Sequence, residues 1–164
     1  MSLLKNKILV LAFGNNIMGD SAAALITARK LKTIFINDID VFEASIAGFA
    51  LIDLLENYQK VLILDSLTKR KKRIGDIFEL TCEEFNKTVS STADSTGLSE
   101  LICQAKKQNL KFPSEIRILA IDIEHKNEIR EGLSPFIKAK IPLFVSRATD
   151  ILHLWLEKKE HELV

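Results

Sequence analysis

A chain of 164 residues, 47% of them hydrophobic, can bury one sizeable core, and its length fits a single domain over 1–164 better than two. A net charge of +1 provides no global basic field for nucleic acid or for a membrane surface. The longest apolar stretches, such as "KILVLAF" and "VLILD", fall far short of the roughly 20 residues that cross a bilayer, and the N-terminus lacks a signal-peptide pattern, so cytoplasmic residence is expected.

In chain order, the apolar run at 7–13 has the composition of a strand buried on both faces, and the glycine turn "FGNNIMGDS" follows it. Residues 21–32 repeat Leu25, Ala28 and Leu31 at helical spacing, with Arg29, Lys30 and Lys32 on the other side. A second strand is expected at 34–41. A helix follows at 45–57, with Ile46, Phe49, Leu51, Ile52 and Leu55 mostly on one face. The third strand, 61–65, ends in Asp65, and the five cations "KRKKR" at 69–73 come shortly after, most simply as a solvated loop. "DIFELT" at 76–81 reads as a further strand. Too little chain separates it from 61–65 for a parallel crossover, so it is expected to return antiparallel as that strand's hairpin partner. A Ser/Thr-rich loop, 90–101, leads into a helix at 97–108, and a fourth buried strand lies at 116–121. "GLSP" introduces the last helix, 135–158, with Ser134 as cap and Pro135 in the first turn, where its missing amide costs nothing. Strands alternating with helices predict a doubly wound α/β domain. Its single twisted sheet has about five strands, mostly parallel, with helices on both faces and one antiparallel edge strand.

In open parallel sheets, sites form beyond the carboxyl ends of the strands, where strand order reverses. If the first and third strands are neighbours there, the loop from Gly14 to Asp20 and the carboxylate of Asp65 share one crevice. Asp94, in the loop at 90–101, approaches from the same end, so three acids from three loops can converge. Each also has a plainer role. Asp20 and Ser21 can cap the helix that follows them, Asp65 can bond turn amides, and Asp94 can form a turn or an early cap.

Other motifs carry less. "GNNIMG" has two glycines but no following Lys-Ser/Thr, so nucleotide binding has weak support. His153, Glu157 and His161 share a helical face by spacing, yet a solvated C-terminal helix explains them more simply than a metal site. Cys82 and Cys103 do not form C-x-x-C and read as reduced thiols. No histidine falls in a loop expected to approach Ser21, which removes a Ser/His/Asp triad.

The motifs in this order resemble the hydrogenase maturation endopeptidases, cytoplasmic proteases that remove a C-terminal extension from the nickel-iron hydrogenase large subunit after nickel insertion. The resemblance rests on "KILVLAFGNNIMGD", Gly48, "VLILDSL", "STGLSEL" and "EGLSPFIKAKIPLFVSRATDILHLWLE", nearly the whole chain. It implies a metal-recognition set of an acid after the first motif aspartate, an aspartate ending the third strand, and a histidine in the loop before the next long helix. Here Asp65 matches the second, Ser21 stands where the first acid is expected after Asp20, and Asp94 falls at the histidine position. "AAA" replaces the glycines usual after the acid pair, which favours the helix by about 1 kcal/mol per residue.

An all-oxygen set of carboxylates and a hydroxyl is harder than one with imidazole, so nickel recognition is expected to be weaker than in the family. The resemblance further implies no resident cofactor, because nickel is presented by the hydrogenase large-subunit precursor, which is the partner. The expected protein is a monomer with no nucleic-acid or membrane partner. The catalytic group is unassigned among Asp20, Asp65 and Asp94, and Asp65, Asp94, Asp20 and Ser21 are the candidate metal contacts. Two other readings remain: a non-cleaving protein that docks on the precursor through the same scaffold, motivated by the changes at Ser21 and Asp94, and a small-molecule or nucleotide enzyme using the same crevice.

Overall fold

Runs of Ile, Leu and Val with no polar face form strands covered on both sides. The computed structural model describes residues 7–44, 49–68, 73–84, 107, 112–124 and 129–162. Strands β1 (Ile8–Phe13), β2 (Asp40–Ala44), β3 (Lys60–Leu67), β4 (Ile77–Leu80) and β5 (Glu115–Asp122) make one sheet in the order β2-β1-β3-β5-β4. All neighbours are parallel except β4 and β5. Helices α1 (Ala23–Ile34) and α3 (Pro135–Glu162) cover one face, and α2 (Phe49–Leu55) lies on the other.

Side-chain alternation sorts the two cores. Ile8, Val10, Ala12, Leu62, Leu64, Leu119 and Ile121 meet α1 and α3, with Phe144, Leu152 and Trp155 filling the space beneath α3. Leu9, Leu11, Val61, Ile63, Ile118 and Ala120 meet Leu51 and Leu55 of α2. Ala22, Ala23 and Ala24 are 4% exposed or less, so the alanine run does more than favour helix: its small side chains let α1 begin close against the sheet.

The antiparallel edge strand is present, but its partner is β5, not the third strand. β3 already pairs with β5 over eight residues, from Lys60 opposite Glu115 to Leu67 opposite Asp122, so the open edge for β4 lies beyond β5. The second strand also sits later than the apolar run suggested. Helix α1 continues to Ile34, the Phe35 amide closes it on the Leu31 carbonyl at 2.9 Å, and the buried side chains of Phe35 and Ile39 pin the turn to the core. The strand itself is a polar edge carrying exposed Asp40 and Glu43, charges that discourage pairing with another chain. The helix expected at 45–57 is seen as Phe49–Leu55, and 45–48 lie outside the described residues; so does the helix expected at 97–108, apart from Lys107. No helix among the described residues is long and apolar enough to cross a membrane.

Candidate active site

The strand order reverses beside β1, which has β2 on one side and β3 on the other, so the first and third strands are neighbours as expected. The loop leaving β1 must turn back sharply to start α1. Gly14 makes that possible: a Cβ there would sit 2.3 Å from the Ser21 carbonyl oxygen and 3.2 Å from Cγ of Leu25. Asn15 shapes the next residues, its Oδ1 accepting the Ile17 amide at 3.0 Å and its carbonyl accepting the Met18 amide at 3.2 Å. Gly19, at φ +53°, then admits a short 3-10 turn, Gly19–Ala22, ahead of α1.

That turn is fastened to the segment before α3. Gly19 N donates to the Arg130 carbonyl at 2.8 Å, and Arg130 N donates to the Ile17 carbonyl at 3.1 Å. The Asp20 carboxylate reaches across as well, accepting the Ser134 amide on Oδ1 at 2.6 Å and the Ser134 hydroxyl on Oδ2 at 2.8 Å. Ser134 opens α3 as expected, its carbonyl accepting the Lys138 amide at 2.9 Å and its Oγ the Ile137 amide at 3.4 Å. The expected cap of α1 by Asp20 or Ser21 is not made. The reason is local: the Ser21 amide goes to the Met18 carbonyl and the Ala23 amide to the Asp20 carbonyl, so backbone oxygens satisfy the first amides and leave the carboxylate to reach the other helix.

Asp65 is housed differently. It is 3% exposed, lies opposite Ala120 of β5, and its Oδ1 accepts the amide of Ser66 at 2.8 Å. Alternation along β3 assigns Asp65 to the face of Ile63 and Leu67, the α2 side, and Ser66 to the face of Leu64, beneath α1. Ser66 is fully buried, and its hydroxyl finds no partner among the described residues. Ser21, in the 3-10 turn, is 3% exposed. Asp94 and its loop lie outside the described residues, as do His125 and Cys103.

A cavity of about 410 Å³ opens beside Asp20, lined by Gly19, Ile74, Glu124, Arg130, Ser134 and Phe136. Asp65 and Ser21 do not line it. Asp20 and Asp65 stand at the same end of the sheet, and of the two it is Asp20 that lines this cavity. Of the basic run, Lys69–Lys72 lie outside the described residues, but Arg73 is exposed and directly precedes Ile74, so the end of the run flanks the cavity. Sequence reasoning missed Ser66, Arg130, Glu124 and Asp122, a 2% exposed acid at the end of β5. Asp122 carries the same signal as Asp65, a carboxylate ending an apolar run. The other three carry none. His153 packs edge-on against Phe35 with ring centroids 5.2 Å apart, and Cys82 is half-buried. Among the described residues, no three His, Cys, Asp or Glu side chains are grouped to hold a metal ion.

Residues 25–151 match the family model of the hydrogenase maturation protease HycI. The chain is 25% identical over 141 residues to the Hydrogenase 2 maturation protease of Escherichia coli (strain K12), covering 82% of this chain and 84% of that protein. Its fold resembles that of the E. coli hydrogenase maturating endopeptidase HybD, with a TM-score of 0.77 at 22% identity over 90% of this chain and 92% of that one. It also resembles the NiFe hydrogenase maturation protease HybD of Thermococcus kodakarensis, with a TM-score of 0.71 at 21% identity over 89% and 99% of the two chains. The family match takes in Asp65, Asp94 and Ser134 but begins after Asp20 and Ser21.

Proposed function

From the chain's membership of the hydrogenase maturation protease family, we propose that it is an endopeptidase that removes the C-terminal extension of a nickel-loaded nickel-iron hydrogenase large-subunit precursor. The observation that supports this most is Asp65, a nearly water-excluded carboxylate at the carboxyl end of β3, beside the strand whose loop begins the strand-order reversal. In a site of low effective dielectric a carboxylate interacts more strongly with a cation than it does in water.

On this reading nickel is part of the substrate. Asp65 contacts it, Ser21 and Asp94 occupy the remaining recognition positions, and docking on the metal brings the scissile peptide and a water into register. The cavity bounded by Ile74, Arg130 and Phe136 accommodates precursor chain next to that point. The protein acts as one domain over 1–164, as a cytoplasmic monomer with no resident metal.

The test is to mix the protein with nickel-loaded precursor and weigh the product. Loss of the C-terminal extension is expected. No processing by the wild type, together with processing after Ser21→Asp plus Asp94→His, overturns the assignment of an active protease. The burial of Ser21, where the family resemblance places an acid, favours one alternative: precursor bound and released uncut makes this a docking protein on the same scaffold.

A further inference from the structure

We infer that Asp20 is a positioning residue, a clamp that holds the Ser21 turn against the start of α3, and that it neither contacts the metal nor exchanges protons with the substrate. The inference deepens the protease reading above and rests on it only for its kinetic arm.

The geometry carries the argument. A carboxylate offers about four lone-pair sites, so two bonds do not exhaust it. Both Asp20 oxygens are nevertheless committed to a single residue, Oδ1 to the Ser134 amide at 2.6 Å and Oδ2 to the Ser134 hydroxyl at 2.8 Å. These are short, charge-assisted bonds, and one of them satisfies a backbone donor at a helix start that has no partner within the helix. The negative charge also sits at the positive end of the 28-residue α3. A cation drawing Asp20 away would leave the Ser134 amide unpaired in a part-buried place.

Two further contacts point the same way. Arg130 forms a backbone bridge to Met18, with bonds to Ile17 and Gly19, so the 3-10 turn is tied to the α3 lead-in immediately before Asp20. On the other side, the carbonyl of Ser21 crosses Gly14 at a distance that excludes any side chain there. Ser21 is thus gripped between β1's exit and the last helix. Asp20 supplies the side-chain half of that grip, linking residues 114 positions apart.

The experiment uses the full chain with Asp20→Ala, Asp20→Asn, Ser134→Ala and the Asp20→Ala/Ser134→Ala double variant. Asparagine keeps an acceptor for the Ser134 amide, and its NH2 can donate to the Ser134 hydroxyl, so it preserves both links without the charge. Processing of nickel-loaded precursor is expected to fall about ten-fold in kcat in Asp20→Ala, with KM little changed, and to stay within about three-fold of wild type in Asp20→Asn. Ser134→Ala is expected to lose activity in the wild-type background and almost nothing more in the Asp20→Ala background. A loss in Asp20→Asn as deep as in Asp20→Ala, or losses that multiply in the double variant, overturns the clamp.

A second readout needs no processing activity, so it separates failure of this inference from failure of the protease reading. In hydrogen exchange, the Ser134 amide is expected to open about ten-fold faster in Asp20→Ala than in wild type or Asp20→Asn, and the Ser21 amide resonance to move with it. Unchanged exchange at Ser134 and an unmoved Ser21 resonance in Asp20→Ala overturn the inference whether or not the wild type cleaves a precursor.

Discussion

Two acids at the same end of the sheet have opposite circumstances. Asp65 lies late in β3, two residues before the strand ends at Leu67, is 3% exposed and bonds the very next amide in the chain, whereas Asp20 sits on a cavity wall and bonds the serine that opens another helix. The difference teaches that position relative to the sheet does not by itself define a reacting group. A carboxylate tied at both oxygens to a helix start is part of the frame. One buried beneath a helix layer, near a strand end, is where the field around a metal or a peptide can be strong.

The largest expected effect tests the Asp65 side. Asp65→Asn keeps an oxygen to accept the Ser66 amide, so the folded state is expected to lose no more than about 1 kcal/mol. Processing should fall more than the roughly 10–100-fold that follows loss of an outer partner of a metal ligand. Denaturant unfolding and precursor processing, measured on the same preparation, check this. A folded Asp65→Asn protein that cleaves at the wild-type rate removes Asp65 from the reaction and erases the contrast.

Gly14→Ala disturbs the turn side without touching either acid. Its Cβ would meet the Ser21 carbonyl oxygen at 2.3 Å, a backbone atom that cannot rotate away. The expected cost is about 1–3 kcal/mol of stability, with displacement of the Ser21 turn. Urea unfolding gives the cost, and amide resonances of 14–22 against those of β3 show whether the disturbance stays local. If β3 moves equally, the two regions are one mechanical unit and the contrast between them is wrong.

Much of this was legible in the chain. Runs such as "VLILD" and "RILAID" read as buried strands, so the sheet and the placing of Asp65 toward the carboxyl end of its strand followed from composition and from the reversal of strand order. What failed did so where tertiary context decides. Phe35 and Ile39 are as apolar as strand residues but serve to pin a turn. β4 is antiparallel for the reason given by its short connection, yet which edge is open depends on β5, nearly forty residues later in the sequence. Asp20 and Ser134 were each recognised as capping residues, and Ser134 does cap. That Asp20 serves the helix of Ser134 rather than its own cannot be read from either local stretch, because the deciding fact is that Asp20's own first-turn amides are already satisfied by backbone carbonyls.

The smallest expected effect concerns an acid of a third kind, remote from the candidate site. Glu79 on β4 receives Nε of Arg117 at 2.5 Å and Nη2 at 2.7 Å across the antiparallel pair, and the hydrogen bond from Arg117 holds its carboxyl below the ordinary value, burial opposing it and the Arg117 charge adding to it. A carboxyl whose folded pKa is lowered contributes stability that is present above its unfolded pKa and is lost as pH falls through the folded value. With 38% of the Glu79 side chain and 26% of the Arg117 side chain exposed, solvent screening limits the pair to no more than about 1 kcal/mol. Glu79→Gln should therefore be slightly less stable than wild type at pH 7. The two should converge as the solution is taken below the carboxylate range, and the gap at pH 7 should narrow in 1 M salt, where the screening length is about 3 Å. Paired unfolding curves at both pH values decide it: a gap that persists in acid assigns Glu79 to packing of the edge strand. In that event the contribution of β4 no longer depends on charge, whereas Asp20 still fastens two elements by its carboxylate.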